Sequence, residues 1–253
     1  MLLNFLKKTP FYEIYHKYDL FTQKSLSQQG QDYWVINEVF HGKRNGYFVE
    51  IGSADGISIN NTYLLEKVYG WTGICVEPNP EYFALLQKVR TATCFNVCVD
   101  RDFGKVEFVL DKLHGGILES HHYNQSVSGQ TRALAERTIS LEAIPLVDLL
   151  KQANAPRVID YLSIDVEGAE TRILGDFPFD EYQFTCMTVE LPSPELQEVL
   201  QTNGYLCVKV VPGLDHFYIH RSFIKNYHSN AYNFYTRNTL GDRLNHWFRL
   251  LTN

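Results

Sequence analysis

The stretch YFVEIGSADGISINNT, residues 47–62, decides how the chain is read. Tyr47 to Ile51 make an apolar run of strand length, and the run stops at Gly52, picks up Asp55 and closes on Gly56. A glycine at the carboxyl end of a first strand lets the backbone turn tightly and leaves its N–H groups open to a ligand. The spacing is not G-x-G-x-x-G, so a plain structural turn explains the two glycines as well as a cofactor does, and a nicotinamide-dinucleotide enzyme is disfavoured.

On either side of this stretch, strand and helix patterns alternate. GYFVEI (46–51), TGICVE (72–77), ATCFNVCVD (92–100), VIDYLSI (158–164) and FTCMTVE (184–190) read as strands. Helical patterns follow them at NNTYLLEKV (60–68), EYFALLQKV (81–89), EGAETRIL (167–174) and PELQEVLQTN (194–203), and QDYWVINEVF (31–40) precedes them. Short connections between alternating elements predict an α/β fold with a mostly parallel sheet covered on both faces. GYLCVKV (204–210) and HFYIHR (216–221), separated by VPGLD, predict an antiparallel hairpin closing one edge. Between two further strand-like runs, 105–110 and 137–144, the polar stretch 111–132 is read as a loop over a site.

In such sheets ligands bind outside the carboxyl ends of the strands, which puts Glu50, Gly52, Ser53 and Asp55 at the crevice. Glu77 ends the next strand, 25 positions after Gly52, where an acid can accept hydrogen bonds from both hydroxyls of a ribose. Val99 and Asp100, at the end of the third strand, supply an apolar contact and an acceptor for a base. Asp165 ends the fourth strand ahead of Glu167 and Glu170, and Glu190 ends the strand after it. Acids also cap helix N-termini, and that reading competes for Asp165 and more strongly for Glu170. The functional reading has Asp165 facing the crevice, where a carboxylate attracts a sulfonium and orients or deprotonates a hydroxyl.

With these residues in view, GYFVEIGSADGISINNTYLLEK, GWTGICVEPNPEYF and IDYLSIDVEGAETRIL together resemble the FkbM family of S-adenosylmethionine-dependent methyltransferases, in order and spacing. SQQGQD (27–32) is also similar to a segment preceding the first strand in one branch of it. The resemblance covers roughly residues 25–220. It implies a Rossmann-like class I methyltransferase fold, seven strands with the last antiparallel, and S-adenosyl-L-methionine as cofactor. It also implies methyl transfer to a hydroxyl of a sugar, glycan or natural product. Carried over by position, Glu50, Gly52, Asp55 and Gly56 hold the methionine end, joined by Asn61 and Thr62. Glu77 takes the ribose, Pro78 and Asn79 shape its turn, and Asp165 sits near the sulfonium. Ser53 departs from the alanine that many members carry after the first glycine.

For a base beside the acceptor hydroxyl, Asp165 comes first, then Glu190 and His216. Asp165, Glu167 and Asp215 are an alternative cation site, but nothing in the sequence demands a metal and none is expected. His114, His121 and His122 fall in the polar loop without ligand spacing, and a substrate lid explains that loop better.

Composition bounds the remaining classes. The 253 residues, 45% hydrophobic, carry a net charge of −6, and both termini are basic, so the middle is markedly acidic. An acidic body is a poor partner for a phosphate backbone, and nucleic-acid binding is not expected. Five cysteines without framework spacing exclude a disulfide scaffold, and no run approaches the roughly 18 apolar residues of a membrane span. A cytoplasmic location is expected. Three regions follow: an N-terminal helical extension (1–24), the methyltransferase-like domain (25–220) and an aromatic, basic C-terminal extension (221–253). The last is expected to pack on the domain or on a second subunit of a homo-oligomer, the alternative being peripheral contact with a membrane, an anionic glycan or a lipid-linked acceptor. A non-catalytic binding module on the same fold remains the alternative to an enzyme.

Overall fold

The computed structural model describes residues 25–110, 115–118 and 138–227. The N-terminal extension, the three loop histidines and the tail aromatics Tyr232, Phe234, Tyr235, Trp247 and Phe248 lie outside the described residues.

Strands β1 (Tyr47–Ile51), β2 (Thr72–Val76), β3 (Thr93–Phe95), β8 (Val158–Ile164), β9 (Gln183–Glu190), β10 (Tyr205–Val210) and β11 (Asp215–His220) form one sheet in the order β10-β11-β9-β8-β1-β2-β3. All run parallel except β11, which is antiparallel to both β9 and β10. This is the Rossmann-like class I arrangement, and the hairpin expected at 204–221 is its closing edge. Order reverses at β1, so the turn after β1 opens into the crevice of the topological switch point.

Central strands buried on both faces read as continuous apolar runs. Phe48 points into one core with Trp34, Leu65, Trp71 and Phe217, while Val49 and Ile51 point into the other with Ile74, Leu162 and Met187. Each fully buried side chain of this size contributes about 1.5–3 kcal/mol. The two cores clamp β1, so the turn that follows it starts from a rigid base.

The structure corrects four expectations. The run 92–100 is not one strand: Asn96 interrupts it by donating its amide to the Glu77 and Pro78 carbonyls at 2.8 and 2.9 Å. Its second half, β4 (Cys98–Asp100), joins a separate four-stranded sheet with β5 (Gly104–Val109), β6 (Gly116–Ile117) and β7 (Thr138–Pro145), in the order β4-β7-β5-β6. The polar stretch is therefore partly ordered, since Gly116 and Ile117 pair with Val109 and Phe108. Residues Trp34–Val39 form a π-helical segment after the helical turn Gln31–Tyr33. Finally, the helix expected from Glu167 begins only at Glu170, because Glu167 (φ 57°) and Gly168 (φ 103°) are left-handed.

Two aromatics of the C-terminal region pack on the domain. Phe223 sits 5.4 Å from Phe40, and Tyr227 lies 6.5 Å from Trp34, ring centre to ring centre. Among the described residues no helix is long and apolar enough to cross a membrane.

Candidate active site

The carboxyl ends of β1, β2 and β8 open into a cleft of about 920 Å³, a volume that takes in its solvent-open mouth. Gly52 takes the chain from β1 onto its floor. A Cβ at Gly52 would stand 2.0 Å from the Asp165 carbonyl oxygen, and its φ is 90°, so glycine is what lets the β1 and β8 ends approach this closely. The N–H groups of Gly52 and Ser53 both donate to the Val76 carbonyl at 3.0 Å, which ties the turn to β2.

Glu77, 6% exposed, follows β2 and lines the cleft. It accepts from the Ala54 N–H at 2.7 Å and the Asn79 N–H at 2.8 Å. Burial pushes its carboxyl up to about 7; those two hydrogen bonds oppose the rise, and the charges of Glu50 and Asp55 add to it. Asn79 caps the helix Pro80–Val89 by accepting from the Glu81 N–H, and Pro80 opens that helix at a position where its missing N–H costs nothing.

A buried charge network holds the other side of the turn. Glu50, 2% exposed, accepts from the Asn60 amide (2.8 Å), the Asn61 N–H (3.0 Å) and the Thr62 hydroxyl (2.9 Å). Arg90, which follows the helix Pro80–Val89, reaches underneath to Glu66 at 2.7 Å and Glu50 at 3.5 Å, and donates to Thr62 and Asn60. Burial works against the charge of Glu66, but the Arg90 guanidinium with Lys67 and Thr91 brings its carboxyl down to about 2. Arg90 escaped the sequence reading because a lone arginine at a helix end looks like a surface residue. Arg90→Leu leaves Glu50 buried without a cation and Glu66 with Lys67 alone, and we expect a loss of about 3–5 kcal/mol, read as a lower denaturant midpoint; Arg90→Lys is expected to recover part of it.

Acids converge at the ends of β8 and β9. Asp165 donates its N–H to the Ile51 carbonyl at 3.1 Å, and oxygens of Asp165, Glu167 and Glu190 all lie within 4.8 Å of one another. Burial, then the charge of Asp165 and the hydrogen bond between the two carboxyls, push Glu190 up to about 10. The Asp165–Glu190 pair therefore holds a proton at neutral pH. Asp215, the cross-strand neighbour of Glu190, is raised to about 6 by burial and then by Asp165, and accepts from the Gln31 amide. Glu170 accepts from the Val166 and Gly168 N–H groups of the turn ahead of its helix, at 3.1 and 3.3 Å, and burial lifts it to about 7. It braces that turn, and the helix that starts at Glu170 carries no side-chain cap.

The cleft thus gathers Glu50, Gly52, Ser53, Asn61, Glu77, Pro78, Asn79, Val99 and Asp165. Other expected residues stand behind or away from its wall. Asp55 closes the turn on itself by accepting from the Ile57 and Ser58 N–H groups at 3.0 and 2.7 Å. Gly56 packs against Leu86 and Arg90, where a Cβ would come within 2.7 Å and 3.0 Å. Thr62 is fully buried between Glu50 and Arg90. Asp100 departs most from expectation: with β4 in the second sheet, it is held by Arg172 through bonds of 2.8 and 2.5 Å rather than offered to a base. Glu190 reaches the site through Asp165, and His216, paired opposite Val189 on β11, is not among the cleft-lining residues.

The second sheet supplies a wall: Cys98, Phe108 and Ile117 face the cleft, with Val97 just ahead of β4, and Ile117 belongs to the stretch 111–132 expected to lie over a site. Ala54, Ile59, Glu167 and Leu191, all in the connections that follow central strands, have positive φ of 47°, 49°, 57° and 38°. Left-handed backbone is rare at a β-branched residue, and such outliers gather at functional sites. Ile59 is also 43% exposed and lines the cleft.

No curated protein matches the sequence. Similar solved structures include a METTL16 MTase domain (14% identity, 75% of this chain and 65% of that one, TM-score 0.41) and a human methyltransferase 10 domain containing protein (14%, 75% and 80%, 0.40). They also include M. capricolum TrmK in complex with S-adenosyl-homocysteine (11%, 75% and 66%, 0.38). The chain spans about two thirds of the METTL16 and TrmK chains. The Methyltransferase FkbM domain family matches residues 50–228, which take in the turn after β1, Glu77 and the acids after β8 and β9. The chain belongs to the FkbM methyltransferase domain family, a family of S-adenosylmethionine-dependent methyltransferases.

Proposed function

We propose that this protein is an O-methyltransferase whose acceptor is a hydroxyl of a sugar, glycan or other small natural product. The observation that carries this reading is the Asp165–Glu190 pair: two carboxyls that share a hydrogen bond beside the cleft, with Glu167 within 4.8 Å of both.

The residues present fit the cofactor. Gly52 leaves a cradle that a Cβ would fill, and Glu77 supplies a carboxylate anchored by two N–H groups. The Asn61 side chain donates to the Ser163 hydroxyl at 2.8 Å, and its Oδ1 is buried without a hydrogen-bond partner. An orphaned acceptor costs about 1–3 kcal/mol, and an ammonium group would satisfy it. In this reading Glu77 takes the ribose hydroxyls, and Gly52, Ser53 and Asn61 the methionine end. Val99, Phe108 and Ile117 cover the base, and Asp165 faces the positive charge. S-adenosylmethionine supplies an electrophilic methyl group on its sulfonium.

The protein's own part is to align and dry the acceptor, since in-line displacement rewards positioning. Asp165 accepts a hydrogen bond from the acceptor hydroxyl and takes its proton as the oxygen becomes an ether. Glu190 donates to Asp165 and keeps it oriented. A nucleic-acid acceptor suits the site poorly, because the carboxyls at the ends of β8, β9 and β11 repel a polyphosphate. The test is methyl transfer from labelled S-adenosylmethionine to a panel of sugars, glycolipids, polyphenols, amines and RNA. Label in an ether of a hydroxyl acceptor supports the reading; label only in amines or RNA overturns it.

Glu77 also sets a pH dependence. Its carboxyl titrates at about 7, above its ordinary 4.5. Ribose hydroxyls donate to the ionised form, so affinity for S-adenosylhomocysteine is expected to be full above pH 7 and to fall up to about tenfold per unit below it. The sign for the unliganded protein is opposite. Raised carboxyls at Glu77, Glu170 and Asp215 bind protons better in the folded state, so the contribution they make to stability is lost as pH climbs from about 4 to 7. Calorimetric titrations and melts at pH 5, 6, 7 and 8 check both.

A further inference from the structure

The site leaves unexplained a pair of thiols behind it. Cys75 of β2 and Cys94 of β3 are direct partners in the parallel register, and both turn toward the core that holds Phe48, Leu86 and Trp71. The Cys94 thiol donates to the Ala92 carbonyl at 3.3 Å, and its interaction with Cys75 shifts the two thiols in opposite directions. Cys75 is buried, and Cys94 is partly open to solvent. Neighbouring strands lie about 4.7–4.9 Å apart, inside the roughly 4.4–6.8 Å between Cα atoms that a disulfide spans. Among the described residues β3 is a three-residue edge strand with no strand on its outer side, so little opposes the shift that would bring the sulfurs together.

We propose that Cys75 and Cys94 form a reactive dithiol, a modification site that hydroperoxides oxidise to a disulfide joining β2 to β3. The charge environment divides the roles. The interaction with Cys75 lowers the Cys94 thiol from its ordinary value, and the Arg90 guanidinium favours the thiolate further. Burial holds the Cys75 thiol well above its ordinary value. Cys94 is the attacking sulfur, and Cys75 resolves the product.

In the first step, written for hydrogen peroxide, the Cys94 sulfur attacks one peroxide oxygen, the O–O bond breaks, and the departing hydroxide takes the thiol proton as water, leaving a sulfenic acid. In the second the Cys75 sulfur attacks the Cys94 sulfur, the S–O bond breaks, and hydroxide leaves with the Cys75 proton as a second water. Two thiols lose two electrons, and the hydroperoxide gains them.

Cys207 serves as an internal comparison. It is the exposed cysteine, but desolvation keeps its thiol above the ordinary value and it has no cysteine cross-strand partner. The test is to treat the full-length, folded protein with hydrogen peroxide, block free thiols and map the peptides by mass spectrometry without reduction. The expected result is a cross-linked pair of peptides carrying Cys75 and Cys94, lighter by two hydrogens and separated by dithiothreitol. Cys94→Ser is expected to abolish the cross-link. Cys75→Ala is expected to stop Cys94 at a sulfenic acid that dimedone traps. Oxidation of Cys207 with the pair left reduced, or over-oxidation of Cys94 in the wild-type chain without linkage to Cys75, would overturn the proposal.

Discussion

Replacing Glu77 with alanine is expected to weaken binding of S-adenosylhomocysteine by about 100-fold or more. Two hydrogen bonds to a carboxylate at about 1.5–3 kcal/mol each amount to a factor of 10² to 10⁴. The carboxylate also organises the protein side, since the Ala54 and Asn79 N–H groups converge on it from the turn after β1 and from the start of the helix Pro80–Val89. Glu77→Gln separates the two roles. Its amide still accepts through one oxygen but not through both, so intermediate affinity with an unchanged melting temperature marks a ligand contact. A melting temperature that collapses in both variants marks a purely structural acid.

Asp165→Asn is expected to lower the rate of methyl transfer by about 10²–10⁴, the usual contribution of a positioned base, while S-adenosylhomocysteine binding changes far less. The substitution keeps the shape of the side chain and the backbone bond to Ile51, and removes the proton acceptor. It also removes the charge that helps raise Glu190, whose carboxyl then ionises at a lower pH. Initial rates at saturating cofactor, with the hydroxyl acceptor found in the panel, measure the loss. A variant as fast as wild type would remove Asp165 from the reaction.

Much of this site was legible in the sequence because strand ends are easy to find in an alternating α/β pattern. Apolar runs mark β1, β2, β8 and β9, and the residue after each of the first three lands at the crevice: Gly52, Glu77 and Asp165. The cofactor class followed from the family resemblance carried by VEPNP and SIDVEGAE, which the family match to residues 50–228 bears out. What escaped depends on contacts between positions distant in the chain. Cys98 to Asp100 continue the pattern of β3, and only the Asn96 amide on the Glu77 and Pro78 carbonyls turns them into another sheet. Asp100 looked like a ligand until Arg172, 72 residues on, claimed both its oxygens. Arg90 and Gln31 act by reach across the fold, on Glu50 and Asp215, and no local spacing announces either.

The measurement that tests the central claim most directly is calorimetric titration of the purified chain with S-adenosylmethionine and with S-adenosylhomocysteine, repeated on Glu77→Ala. The account predicts saturable one-to-one binding of both ligands to the wild-type protein, largely lost in the variant while its fold persists. Absence of heat and of any thermal shift at millimolar ligand, or equal binding by the variant, would contradict it.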